Sequence, residues 1–498
     1  MVGGDGAGGL GGQGFGGAVR SEGIANLDCV VFRGNQATGG ATTSPEGEFA
    51  GISLGGAVSS GNDGNLTVKS CWFTGNKAIG GFRHYPNPLY NVGGGGALDN
   101  WGTAVITDSV FTDNQAIGGA AEPGVEGGYG IGGALSTGTP FALSPACTIR
   151  HCTFTHNRAI GADAVSENLG GSGIGGALHT GFALISSTTT ITDCTFADNE
   201  AVAGTGGYGG GDGGAINQEP PLTFGYQCIL TVVNSSFTDN KALGKGVGGS
   251  AVAGAILNND WITEDGSGAI LVISDSWFVR NAALGSPGGD AINNTSWAEG
   301  GAVDAGGNTT IRNSTFLSNR AVSGAWSPGA AGFYTAVFGG GLNSRFGTLD
   351  IRDSRFVGNQ VVGGDTSLGG PATTAMGGGI NVLSGMTANI VNCSLLYNAA
   401  VGGAGSAGVP GGDGIGGGLS VGFVPLYSPL PVTGSTVTIT GTTINHNQAI
   451  GGSSGGMGMG GGYAVGLGVF FGFPDTSTVT LNGGTVVKHN QPDDAFQF

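Results

Sequence analysis

The stretch SVFTDNQAIGGA, residues 109–120, decides the fold. Its core is Phe-x-x-Asn, then a small residue and glycines. Near copies read FTGNKAIGG at 73–81, FTHNRAIGA at 154–162, FADNEAVAG at 196–204, FTDNKALGK at 237–245 and FVGNQVVGG at 356–364. The Asn falls at 35, 76, 114, 157, 199, 240, 281, 319, 359, 398, 447 and 490, a mean period of about 41 residues. A second phrase, GGA plus an aliphatic residue, alternates with it, as at 95–98, 132–135, 175–178 and 300–303. A fixed repeat of this length is one supersecondary unit stacked on itself.

Inside the repeat the apolar residues alternate with period two, which is strand-like. In LTVKSCWFTGN, residues 66–76, Leu66 and Val68 share a face, a corner follows, Cys71 and Phe73 turn inward, and Asn76 makes the next corner. Strands this short, joined by Asn, Asp or Gly corners, wind into a right-handed parallel β-helix whose coils stack about 4.8 Å apart. Phe73, Phe111, Phe154, Phe196 and Phe237 then form an internal stack. Asn76, Asn114, Asn157, Asn199 and Asn240 form an amide ladder at a corner of unusual backbone angle. The Ala two residues after each Asn is expected to be small because the turn is tight. About twelve coils follow, each with a long Gly-rich excursion; the alternative makes each excursion a second coil, giving about 24 rungs. The expected organisation is one solenoid domain over 1–490 and a C-terminal cap over 491–498, since open sheet edges must be covered.

The paired GGA[ILV] and FxxN phrases resemble the repeats of bacterial polymorphic outer-membrane proteins, which are autotransporter-type surface proteins. They also resemble the wider set of parallel β-helix proteins of the pectin-lyase-like fold. The resemblance covers about residues 15–490. It implies a β-helix in a bacterial protein that is secreted or on the cell surface. It implies little about activity, because that fold hosts lyases, hydrolases, adhesins and tailspikes. The chain departs from the autotransporters in ending at NQPDDAFQF without a membrane barrel.

Composition narrows the functions. There are 109 glycines in 498 residues and a formal charge of −17. An acidic chain makes a poor nucleic-acid partner, because phosphate neutralisation needs a basic surface. No apolar run approaches the about 20 residues a membrane span needs, so membrane insertion by this chain is not expected. MVGGDGAGGLGG lacks a charged n-region and an apolar core, so a leader and earlier repeats are expected to precede it. Cys71, Cys152, Cys194 and Cys393 all stand two residues before the Phe column, where other copies carry Ser or Thr. Free structural thiols are expected there, with Cys152 and Cys194 the pair placed for a bond.

Two columns carry the candidate chemistry. Three before Phe stand Asp108, His151 and Asp193; two after it stand Asp113, His156 and Asp198. Asp113, Asp198 and Asp239 are the candidate Ca²⁺ ligands, since stacked carboxylates repel unless protonated, paired or metal-bound. His156, Arg158, Asp198 and Lys241 form the best catalytic patch. No cofactor is required by the sequence, Ca²⁺ being the one ion it brings to mind. Aromatics of the inserts, such as Tyr85, Trp101, Trp261, Trp297 and Trp326, are candidates for stacking on sugar rings. The function expected is a non-enzymatic extracellular scaffold or adhesin whose partners are polysaccharide or copies of itself. The alternatives are a polysaccharide lyase or glycoside hydrolase, and a filament or matrix subunit.

Overall fold

The computed structural model describes residues 11–41, 51–83, 91–138, 144–164, 170–181, 183–206, 209–260, 268–288, 296–327, 336–422 and 434–498. They group into two compact units, residues 1–250 with 255–257, and residues 251–254 with 258–498. Each unit is a stack of parallel coils. One coil of the first unit runs Gly93–Gly94, Leu98–Asn100, Thr103–Thr107, Val110–Thr112 and Gln115–Ile117. Its counterpart in the second runs Ala336–Phe338, Leu342–Arg345, Thr348–Arg352, Arg355–Val357 and Gln360–Val362. Every strand pairs in parallel with the same strand of the neighbouring coils, as Phe111 does with Phe73 and Phe154. Both units are the parallel β-helix expected from the repeat. Equivalent residues lie 38 and 43 positions apart from Asn76 to Asn114 to Asn157, so each repeat is one coil and the 24-rung alternative is excluded. The excursion does not wind a turn of its own; it supplies the short Gly strand that opens the next coil.

The inward side chains stack as like on like. Phe73 and Phe111 lie 4.6 Å apart and parallel, and Phe111 and Phe154 follow at 4.7 Å. All three rings are fully buried. The second unit repeats the motif, with Phe278, Phe316 and Phe356 at 4.7 and 4.4 Å.

The Asn column is a hydrogen-bonded ladder. Asn114 Nδ2 donates to Asn157 Oδ1 at 3.0 Å and to the Phe73 carbonyl at 2.9 Å, while its backbone N–H donates to the same Asn157 Oδ1 at 3.1 Å. Asn157 repeats this on Asn199 and Phe111. The strained angle is not on the Asn. The residue before it is left-handed, with φ of 57° at Asp113, 54° at His156 and 54° at Asp198. Substituting Asn157→Ala strands the Asn114 amides, the Phe111 carbonyl and Asn199 Oδ1 in a dry corner. At about 1 kcal/mol or more for each buried group left unpaired, the expected loss is about 3 kcal/mol. Chemical denaturation checks this, and Asn157→Asp should restore part of the loss through its remaining acceptor.

The phrase GGA reads directly in the structure. The first Gly turns the corner with φ of 63° at Gly132. The second has no room for a side chain: a Cβ on Gly133 would sit 2.0 Å from the Gly176 carbonyl oxygen and 2.5 Å from the Arg158 carbonyl carbon. Ala134 is fully buried. The Gly strand lies directly on the fifth strand; a Cβ on Gly130 would meet the Ala116 oxygen and the Ile160 nitrogen, each at 2.4 Å. Ala116 is small for that reason, and not because a turn is tight there.

No helix among the described residues is long and apolar enough to cross a membrane.

Candidate functional site

The sequence-derived patch lies on the surface as two neighbouring columns. In the first, His156 Nε2 is 4.0 Å from Asp198 Oδ2. In the second, Arg158, Glu200 and Lys241 stand in register on successive coils. Arg158 Nε is 3.0 Å from one Glu200 oxygen, and Lys241 Nζ is 4.0 Å from the other. Each charge faces its neighbour along the coil axis, and all of these side chains are at least a quarter exposed. Exposed pairs of this kind contribute about 0–1 kcal/mol each. The earlier column repeats the pattern, with His151 between Asp108 at 3.6 Å and Asp193 at 3.4 Å.

Backbone geometry accounts for both columns. All of Ser70, Asp108, His151, Asp193, Asn234, Asp275, Asn313, Asp353 and Asn392 have φ between 44° and 55°. The later column is left-handed as well, and it accepts Arg280, Ser318, Tyr397, His446 and His489 besides its acids. Asn, Asp and His tolerate this angle better than most residues. The Asp–His–Asp runs are therefore what a repeated left-handed corner selects. The calcium candidates do not converge either: His156 stands between Asp113 and Asp198, and among the described residues no group of three or more His, Cys, Asp or Glu side chains is placed to hold a metal ion.

All seven cysteines are free, including Cys152 and Cys194. Their column works as a hydrogen-bond acceptor for the coil before it: the Cys71 amide donates to Ser109 Oγ, and the Cys152 amide to Cys194 Sγ at 3.4 Å. Burial pushes the Cys393 thiol up to about 11 and the Cys147 thiol up to about 12. Among the aromatics, Trp326 is fully buried, so it packs and does not offer a stacking face. Trp101 is half-buried, edge-on to Phe15 at 5.9 Å; Trp297 is half-buried too. Tyr85 and Trp261 lie outside the described residues.

A different set of groups was not visible in the sequence. The second residue of strand two is polar in most coils, as at Ser59, Asp99, Ser136, His179, Asn217, Asp304, Asn343, Asn381 and Ser420. Period two points it outward, yet every one of these is buried. The left-handed Gly corner turns strand two so that its outer side chains meet those of strand one. In the second unit Glu299, on strand one, accepts a 3.2 Å bond from Asn343 Nδ2, which also donates to Asp304 Oδ2 at 2.7 Å. Arg345 bonds Glu299 and lies 3.2 Å from Asp304 Oδ1. The chain of bonds continues from Asn381 Nδ2 to Asn343 Oδ1 at 2.7 Å, and from Ser420 Oγ to Asn381. Glu299 and Asp304 are 1% and 0% exposed in their side chains, and Arg345 11%. Burial and the charge of Glu299 hold the Asp304 carboxyl above the usual carboxylate range, against the pull of Arg345. The signal in the sequence was a polar residue after each GGA-aliphatic phrase, which nothing local marks as covered.

The first unit has its own buried acid. Burial pushes the Asp99 carboxyl up to about 8, with Trp101, Arg20 and Ser136 drawing it partway back. Burial also takes His179 down to about 4. A raised carboxyl favours folding while it is protonated, so that part of the stability is complete below about pH 4 and is lost as pH rises toward 8. The depressed His179 acts in the opposite sense, with stability lost as pH falls from about 6.5 toward 4. Asp99→Asn should therefore raise the melting temperature at pH 8.5 and leave it nearly unchanged at pH 4. A melt series over that range checks the slope.

No protein-family model matches the chain, and no curated protein matches it. Among solved structures, similarity is found to the periplasmic alginate epimerase AlgG, at 10% identity and a TM-score of 0.34 over 86% of this chain and 78% of that one. A point mutant of the same epimerase aligns at 9% identity and 0.38 over 94% and 76%. Tailspike protein 3 of bacteriophage CBA120 aligns at 13% identity and 0.21, over 96% of this chain and 57% of the tailspike. These likenesses reach no further than the fold. The chain is a parallel β-helix protein.

Proposed function

We propose that this chain is a non-enzymatic extracellular or cell-surface β-solenoid scaffold that holds polysaccharide as an adhesin. One observation carries the reading: the exposed titratable columns are left-handed corners, filled by whatever tolerates the angle and paired along the axis. A catalytic set breaks local rules and converges on one space; these columns follow the local rule coil after coil. The test is incubation with a panel of neutral and acidic polysaccharides, with and without Ca²⁺. Co-sedimentation without new reducing or unsaturated ends is expected. Product release lost in His156→Ala or Asp198→Ala would overturn the scaffold reading.

A second reading, a polysaccharide lyase or glycoside hydrolase, draws on the pair Glu299 and Asp304. Two carboxyls share Asn343 and Arg345, and one is held toward its protonated form. General acid–base chemistry uses groups set apart in this way. Cleavage that survives His156→Ala and is lost in Glu299→Gln would favour this reading.

A further inference from the structure

The last eight residues imitate a coil that is not there. Along the second unit each ladder Asn hands its N–H and its Nδ2 to the Oδ1 of the next Asn, as Asn447 does to Asn490 at 2.9 and 3.0 Å. Asn490 hands the same two donors to Asp494 Oδ1, at 3.0 and 2.9 Å. At the Gly-Gly corner the amides of Gly416 and Gly417 bond carbonyls of the next coil, Met459 and Gly460. The equivalent amides of Gly460 and Gly461 bond Asp493 Oδ1 instead. Ala495–Gln497 then pairs in parallel with Tyr463–Val465, as a further second strand would. Gln491 bridges to Gln448, and Pro492 follows, with no N–H to continue that strand.

The imitation is partial. Thr478–Asn482 and Val486–Lys488 each pair with the coil before them and receive no strand from residues 491–498. Leu481 and Val486 stay 42% and 39% exposed. A cavity of about 310 Å³ remains between the segment and the last coil, lined by Tyr463, Val465, Val479 and Phe496. At the start of the first unit, Ile24–Asp28 and Val31–Arg33 are paired with the second coil, and Ile24 and Val31 are 78% and 63% exposed. These strands carry the column pattern that any coil presents to the one before it: Leu27 in register with Val68, Phe32 stacked on Phe73 at 4.8 Å, and Asn35 on Asn76.

We propose that the segment Gln491–Phe498 is an assembly stop, and that the surface it covers binds the first coil of a second copy of this chain. On its release Asn35 Oδ1 of the incoming copy replaces Asp494 on Asn490. Ile24–Asp28 adds beside Thr478–Asn482, and Val31–Arg33 beside Val486–Lys488, so that the copies join head to tail. A second copy fits because coils of this repeat are congruent: the face that accepts the next coil and the face that it offers recur in every repeat. Unpaired parallel edges of this kind recruit strands unless they are covered. The inference deepens the scaffold reading by naming a mode of self-association.

The experiment uses the full chain carrying Asp494→Ala and Phe496→Asp, with mass read by light scattering and particle shape by electron microscopy. Linear multimers are expected at concentrations where the native chain is monomeric. Adding Ile24→Lys and Asn26→Pro to block the receiving edge should return the chain to monomer. A folded double variant that stays monomeric overturns the proposal. Multimers that persist after the edge is blocked overturn it as well, since the contact then lies elsewhere. Should the double variant fail to fold, Asp494→Ala alone serves: it must multimerise more readily than native and than Asp494→Asn, which keeps the acceptor, and no difference between them overturns the proposal. Mass is read without any glycan present, so this outcome and that of the polysaccharide panel stand or fall separately.

Discussion

Gly133→Ala is expected to lower the stability of the first unit by about 4 kcal/mol, the range of severe single substitutions. The new methyl has no soft neighbour to displace. It would stand 2.0 Å from the Gly176 oxygen, 2.5 Å from the Arg158 carbonyl carbon and 2.6 Å from its nitrogen, all backbone. Relief requires the Gly corner to move away from the next coil, which breaks the bond from the Gly133 amide to the Gly175 carbonyl at 3.0 Å. Exposed Gly34, by contrast, turns a corner with nothing near its Cβ position, and its cost is that of a left-handed angle alone, about 1 kcal/mol. Denaturation midpoints of Gly133→Ala and Gly34→Asn, side by side, check the ranking. Equal midpoints would mean that the Gly strand is not packed backbone on backbone.

Arg345→Ala is expected to cost the second unit about 3–5 kcal/mol at pH 8, because it leaves two buried carboxylates facing each other without their cation. Asn343 alone cannot hold both, since its Nδ2 already divides between them. The loss should shrink at pH 5, where a carboxyl held above its usual range takes up a proton and the repulsion fades. Replacing all three charges together, Glu299→Gln, Asp304→Asn and Arg345→Met, should cost much less than the single change, as a buried triad and a neutral packing of similar volume are close in stability. If the single variant melts like the native chain at both pH values, the cluster is reached by water and the burial inferred for it is wrong.

These two substitutions differ in how far the sequence foretells them. Phe-x-x-Asn and GGA repeat because every coil poses the same local problem, so the strand, the corner and the stacking column can be read from spacing alone. The Phe stack and the Asn ladder stand where the repeat places them. Details that depend on where a corner bends its side chains were not legible. The left-handed residue is Asp113 or His156, one before the Asn, and the glycines are a packed strand and not a second coil. The exposed Asp–His–Asp runs looked like chemistry because a single sequence shows residue types and not backbone angles.

The sequence by itself determined the repeat, the parallel coil and the identity of the inward columns, because a translation-symmetric stack turns each local preference into a column. Only the tertiary structure decided which polar residues are covered. Asp99, Glu299, Asp304 and Arg345 alternate in sequence like surface residues, and they are buried because strands one and two fold toward each other across a Gly corner. It also decided what ends the stack. Asp494 completes the ladder by placing one oxygen where the next Asn would place its own, a match of position that neighbouring residues do not encode.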